Sequence, residues 1–234
     1  MDKLLTIAKK ELGTYFKSPL AYIVLIITIS VFNFFFFVLI DHNREASLRD
    51  MFQIMEFMFV FIIPLLTMKI FAEEKRNGTM EFLLTCPITP SQLVLGKYLG
   101  TLLFFSLIIS LTFSYFVLIS TFAHIDTIAT CVGYTGVWLE GALFISVGIL
   151  MSSITRNQLI AAISSYAILL TLYFSSVLAK FFDPGLRAFF NNVSFYVRNE
   201  NLSSGLVASA DCVYFVSVIL FCLMLTILHI QKQR

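Results

Sequence analysis

The chain has 234 residues, 59% of them hydrophobic and 13% charged, with a net charge of +2, and its mean hydropathy is +0.90. Soluble domains carry about 45–50% apolar and about 25% charged residues, so this composition excludes a soluble globular enzyme. The near balance of 16 Lys and Arg against 14 Asp and Glu, with no basic patch interleaved with aromatics, excludes a nucleic-acid partner.

Residues 3–17 form the first predicted element. On a helical wheel, Leu4, Leu5, Ile7, Ala8, Leu12, Tyr15 and Phe16 fall on one side. Lys3, Thr6, Lys9, Lys10, Thr14 and Lys17 fall on the other, and Glu11 is the exception. Lysines opposite an apolar face mark a helix lying in the membrane interface, here covering residues 1–18. It either anchors the first span or also transmits force from a cytoplasmic partner.

A membrane-crossing helix takes about 20 mostly apolar residues. Six stretches qualify, at residues 20–40, 51–71, 99–122, 130–152, 159–179 and 212–230. The first runs into Asp41-His42-Asn43-Arg44 without a small-residue cleavage site, so it is read as an uncleaved span. It holds Asn33 and four consecutive phenylalanines, 34–37, which suit a lipid-facing or packed surface. In the second span Glu56 lies near the outer end, and Pro64 marks either a gating kink or a tolerated irregularity.

Between the second and third spans lies a long cytoplasmic stretch, residues 72–98. Asn77-Gly78 is a turn signal. Thr79 is an N-cap candidate for a short helix ending at Thr85, and Pro87 stops that helix. Thr89, with Pro90 next and Gln92 three residues on, has the capping-box pattern for a second helix entering the third span. A short, partly apolar helix held outside the membrane, with Phe82, Leu83 and Leu84, invites a partner or lies flat on lipid.

Ser106, Ser110 and Ser114 recur every four residues on the third span and suit close helix packing or a pore lining. Ionisable groups inside spans are costly and mark functional candidates. Glu140 is the clearest, roughly 15 Å from the outer end of the fourth span at 1.5 Å per residue. It is either a substrate or cation contact or a packed carboxyl, with Asn33 as a possible partner. The outside stretch 180–211 carries Phe181, Phe182, Phe189 and Phe190, which suggest partial re-entry into the membrane. The four cysteines and three histidines are too scattered for a metal site.

Lys and Arg set the orientation. With both termini inside, Lys3, Lys9, Lys10, Lys17, Lys69, Lys75, Arg76, Lys97, Arg156, Lys232 and Arg234 lie on the cytoplasmic side, eleven of the sixteen. The expectation is therefore a single all-α integral membrane domain over residues 1–234, with six transmembrane helices, an N-terminal interfacial helix and a short cytoplasmic helix.

The run from Glu74 to Lys97, E-K-R-N-G-T-M-E-F-L-L-T-C-P-I-T-P-S-Q-L-V-L-G-K, resembles the permease subunits of type-2 ABC transporters. The resemblance is carried by Glu74, Gly78, Thr79, Glu81, Leu83, Leu84, Pro87, Ile88, Thr89, Val94, Gly96 and Lys97. Ser152-Ser153-Ile154-Thr155-Arg156-Asn157-Gln158 followed by Ile160-Ala161-Ala162 is similar to the family's run after the fourth span. Gly205, Asp211 and Tyr214-Phe215 look like the end of the GldF/NosY-like branch, named for gliding motility and nitrous-oxide-reductase maturation. The resemblance implies six helices per subunit, a homodimer or a heterodimer with a related permease, and two cytoplasmic ABC ATPase subunits. It implies a multi-pass location in the cell inner or plasma membrane, in contact with lipid. It further implies that the short helix near Thr79–Thr85 is the coupling helix seated in an ATPase groove, with Glu73, Glu74 and Glu81 as polar contacts and Gly78, Phe82, Leu83, Leu84 and Pro87 around them.

The only Gly-Lys pair, Gly96-Lys97, lacks the upstream Gly and the Ser/Thr of a phosphate loop. The chain is expected to be no enzyme and to bind no cofactor; ATP and Mg would be used by the partner ATPase. The expected function is a permease that couples that hydrolysis to substrate movement, in the export direction. A secondary transporter or channel instead predicts more charge in the spans and inverted repeats. A membrane-embedded enzyme predicts clustered catalytic groups. A non-transporting subunit that recruits an ATPase would carry the same coupling motif.

Overall fold

The computed structural model describes residues 2–43, 47–85, 88–122, 125–175, 194–195, 205 and 209–233. Among them the chain forms helices α1 (Asp2–Lys17), α2 (Pro19–Asn43), α3 (Arg49–Thr67), α4 (Ala72–Arg76), α5 (Thr79–Thr85), α6 (Pro90–Ser120), α7 (Thr127–Ile154), α8 (Gln158–Tyr173) and α9 (Ser209–Gln231). Five stretches are long and apolar enough to cross a membrane: α2, α3 continued through α4, α6, α7 and α9. The fifth predicted stretch, 159–179, appears as α8, which has only 16 residues. That is about 24 Å of helix against a hydrocarbon core of about 30 Å. Residues 176–179 lie outside the described residues, as does most of the stretch 180–211.

The helix ends follow local chemistry. Thr89 and Gln92 close the capping box reciprocally, Gln92 N donating to Thr89 Oγ1 at 3.2 Å and Thr89 N to Gln92 Oε1 at 3.1 Å. With Pro90 at its first position, α6 starts nine residues before the predicted third span. Asp126 caps α7 by accepting from Ile128 N and Ala129 N, and Asn157 caps α8 through Leu159 N. Thr79 does not cap α5 as expected. It is the first helical residue, and its hydroxyl donates back to Glu74 O at 3.2 Å. The α4–α5 turn is made instead by Gly78, whose φ of +71° is open to glycine and strained for other residues.

α7 is the centre of the bundle, with 72% of its apolar window buried against 22% for α2 and 28% for α9. α3 and α6 flank it. Phe105 of α6 meets Phe59 of α3 edge-on, with ring centroids 4.8 Å apart, and Phe59 in turn meets Phe32 of α2. Lys75, Glu81, Arg156, His229 and Gln233 line one cavity, which places the end of α9 beside α4 and α5. α1 packs beside Ile70 and Glu74, so both termini sit at this same end. At the far end Gly205 lies against Ala129 near the start of α7. Phe195 is fully buried much deeper, its ring 5.0 Å from Phe144 of α7 and 5.9 Å from Tyr173 at the end of α8.

Candidate functional site

The terminal end of the bundle holds α4 and α5 between two anchors. The first is a buried lysine. Lys97, 4% exposed on the first turns of α6, donates to Glu74 Oε1 of α4 at 2.7 Å, to Ile70 O at 2.9 Å and to Glu11 Oε2 of α1 at 3.3 Å. The three donors of the ammonium are matched by three acceptors. Its charge also lies 5.2 Å from the centre of the Phe71 ring, within cation–π reach. A buried charge is tolerated only when so compensated. Glu11, the misfit on the helical wheel, thus lies on the face of α1 turned to the protein.

α1 can come close to Lys97 because α6 presents glycine there. A Cβ on Gly96 would lie 2.7 Å from Ile7 Cβ, and one on Gly100 would lie 2.8 Å from the Ala8 carbonyl oxygen and 2.6 Å from Glu11 Cβ. Spaced four apart, the two glycines form a groove in which the α1 backbone rests. Tyr15 extends the seam. Its hydroxyl donates to Leu66 O at 3.1 Å, lies 3.2 Å from Thr101 Oγ1, and its ring stacks on Phe104 at 4.8 Å. Leu66 O is one of the end carbonyls of α3 that lack a helical partner. Burial, with the Glu11 carboxylate adding to it, pushes the Tyr15 phenol far above its ordinary range, so it stays a neutral donor.

The second anchor is the end of α7. Between α3 and α4 the chain turns over residues 68–71 and leaves backbone groups unpaired in the helix ladder. Ser152 Oγ accepts from Phe71 N at 3.0 Å and Ala72 N at 3.1 Å and donates to Met68 O at 3.0 Å. One hydroxyl therefore satisfies three backbone groups of the turn. Lys75 Nζ donates to the neighbouring Ser153 carbonyl. α4 is fixed to α6 and α1 on one side and to α7 on the other.

α5 hangs from this frame. Met80 is buried, Leu83 half-buried, Glu81 exposed, and Phe82 is 74% exposed. Glu73 is half-buried beside Glu74, whose carboxylate turns inward to Lys97. Of the sequence-predicted residues, Glu73, Glu74, Gly78, Thr79, Glu81, Phe82 and Leu83 are brought together on α4 and α5. Pro87 and the Leu84 side chain lie outside what is described. The sequence reading missed Glu11, Lys97, Ser152 and Ser153 as structural members of this site. The signals were there: a carboxylate on an apolar face, a lysine between two glycines, and paired serines ending an apolar helix.

Inside the bundle Asn33 and Glu140 lie on α2 and α7. The Asn33 amide oxygen accepts from the Tyr115 hydroxyl at 2.7 Å. Glu140 is 1% exposed on α7, next to Gly141, which backs onto the Phe105 ring. Glu56 of α3 is likewise 1% exposed rather than at the interface. The serine row divides. Ser106 accepts from Trp138 Nε1 at 2.9 Å, while Ser110 and Ser114 face outward and donate to carbonyls of their own helix.

No curated protein matches the chain. A family model described as "ABC-2 family transporter protein" matches residues 5–229, from the second turn of α1 to the last turn of α9. With nearly the whole chain covered, and with several helices apolar and long enough to cross a membrane, the protein belongs to the ABC-2 family of membrane transporter proteins.

Proposed function

We propose that this chain is the permease subunit of an ATP-driven transporter, and that α4–α5 is where a separate ATPase docks and moves it. The observation that carries this reading is the contrast between the two short helices: α5 exposes Phe82 and Glu81, while α4 is tied to α1, α6 and α7. A push on α5 therefore reaches α1, α6 and α7 through Lys97 and Ser152. Only a push that favours one bundle arrangement over another does transport work. In this reading ATP and Mg belong to the ATPase, and two ATPases serve two permease copies. The export direction is part of the proposal.

Six crossings are part of it as well. Both termini share one end, and α9 returns from the far end where Gly205 meets Ala129. This supports a further crossing after α7, beginning with α8. The bias of Lys and Arg assigns the terminal end to the cytoplasm. Gly205, Asp211 and Tyr214-Phe215 support the GldF/NosY-like branch. Ser110 and Ser114, outward on α6, suit a face toward a second permease copy. Glu140 contacts cargo in this reading only when α7 parts from its neighbours.

Affinity isolation from gently solubilised membranes tests the proposal. A stoichiometric protein with a phosphate loop should accompany the chain and be lost on Glu81→Lys. Isolation of an intact permease dimer with no ATPase would overturn it in favour of a channel or secondary transporter.

A further inference from the structure

A groove of about 350 Å³ opens between α1, the start of α2 and the junction of α3 with α4. Its lining is divided by chemistry. Leu20, Ala21 and Leu66 belong to the helix turns that enter the membrane, whereas Lys10, Lys17 and Lys69 stand toward the terminal end. None of these three lysines closes an ion pair within 4 Å among the described residues. Two of the three carboxylates in the lining, Glu11 and Glu74, are committed to Lys97. With Lys97 counted, four lysines face three carboxylates in the lining, and Glu74 also feels the charge of Lys10, so the groove keeps an excess of one positive charge.

We propose that this groove holds the headgroup of an anionic phospholipid from the leaflet in which α1 lies. The phosphate sits among Lys10, Lys17 and Lys69, and the acyl chains start along the apolar wall of Leu20, Ala21 and Leu66. The order of the lining, charged toward water and apolar toward lipid, matches the order of groups in a phospholipid. A soluble anion would use the lysines and leave the apolar wall wet. An acidic protein segment would have to displace lipid from that wall. The excess of lysine over carboxylate selects an anionic over a zwitterionic headgroup. The proposal needs the chain to lie in a membrane and does not depend on ATPase docking.

The test is native mass spectrometry of the full-length protein titrated with phosphatidylglycerol or with phosphatidylcholine of the same acyl chains. Phosphatidylglycerol should bind more tightly, and Lys10→Gln, Lys17→Gln and Lys69→Gln should each weaken it about fivefold, the worth of one lysine near an anionic surface. Phosphatidylcholine binding should not change in these variants. Lys9→Gln, on the exposed face of α1 outside the groove, should leave both lipids unaffected. Inorganic phosphate in large excess should not displace the lipid. Equal binding of the two lipids, an equal loss in Lys9→Gln, or displacement by phosphate would each overturn the proposal. Thermal melts of every variant check that the bundle is intact.

Discussion

Lys97 shows how one side chain decides a geometry. Removing it leaves Glu11 and Glu74 facing each other in a buried site, and breaking such a pair costs about 3–5 kcal/mol. Lys97→Met should lower the melting temperature of the purified protein. Glu11→Leu and Glu74→Leu added to Lys97→Met should restore most of it, because an apolar cluster of similar volume replaces the ions without orphaning any. Ser152→Ala should cost about 1–3 kcal/mol through the unpaired Phe71 and Ala72 amides. Ser152→Thr keeps the hydroxyl and should cost less. Glu140→Gln separates two roles. If the carboxylate meets cargo, transport by the reconstituted complex should change across a range of pH. If it only packs, the variant should transport as the parent does. Lys97 was legible as a cytoplasmic charge and a motif residue, but not its partners, which lie 86 and 23 residues away in sequence. Periodicity reports which face a residue occupies, not what stands opposite.

At the scale of elements, the best-read features are those whose cause is local. The capping box at Thr89 and Gln92 and the Gly78 turn depend on neighbours within four residues, and both are where the sequence put them. α1 was legible as amphipathic, yet its apolar face does two jobs. Ala8 and Tyr15 are buried, while Leu5 and Phe16 stay exposed. The sequence could not divide that face, because the division is made by Gly96 and Gly100 on a distant helix. Gly100→Leu should push α1 off α6, seen as faster proteolysis of the N-terminal segment. Glu81→Lys and Leu83→Asp sit at the tip of α5, away from the core. Both should uncouple ATP hydrolysis from transport while leaving the melting temperature within about 1 kcal/mol of the parent's stability, as surface changes do. Normal transport with both changes present would remove α5 from the drive.

At the scale of the whole molecule, hydropathy found the long helices because each is apolar over a full membrane thickness. The fifth stretch runs to residue 179, whereas α8 ends at Tyr173 and residues 176–179 lie outside those described. Hydropathy counts residues, whereas a helix ends where the backbone leaves its ladder. Arrangement was the least legible property. That α7 is central and α2 peripheral depends on all the contacts at once. Topology gives a direct check. In a background without the native cysteines, Ser47→Cys should react with a membrane-impermeant maleimide in intact cells. Asn77→Cys should react only after the membrane is opened. The reverse pattern would invert the orientation.

The partnership of Glu11 with Lys97 also has a history in time. The two residues are 86 positions apart, and at about 5–20 residues per second of synthesis Lys97 follows Glu11 by on the order of ten seconds. During that interval α1 has no groove to enter and α6 does not exist. Its lysine-flanked apolar face lets it wait on the membrane surface, and the Gly96–Gly100 groove collects it when the ribosome delivers α6. A helix that ends as an internal brace of the finished protein thus begins as a floating one, and its two-sided composition serves both stages.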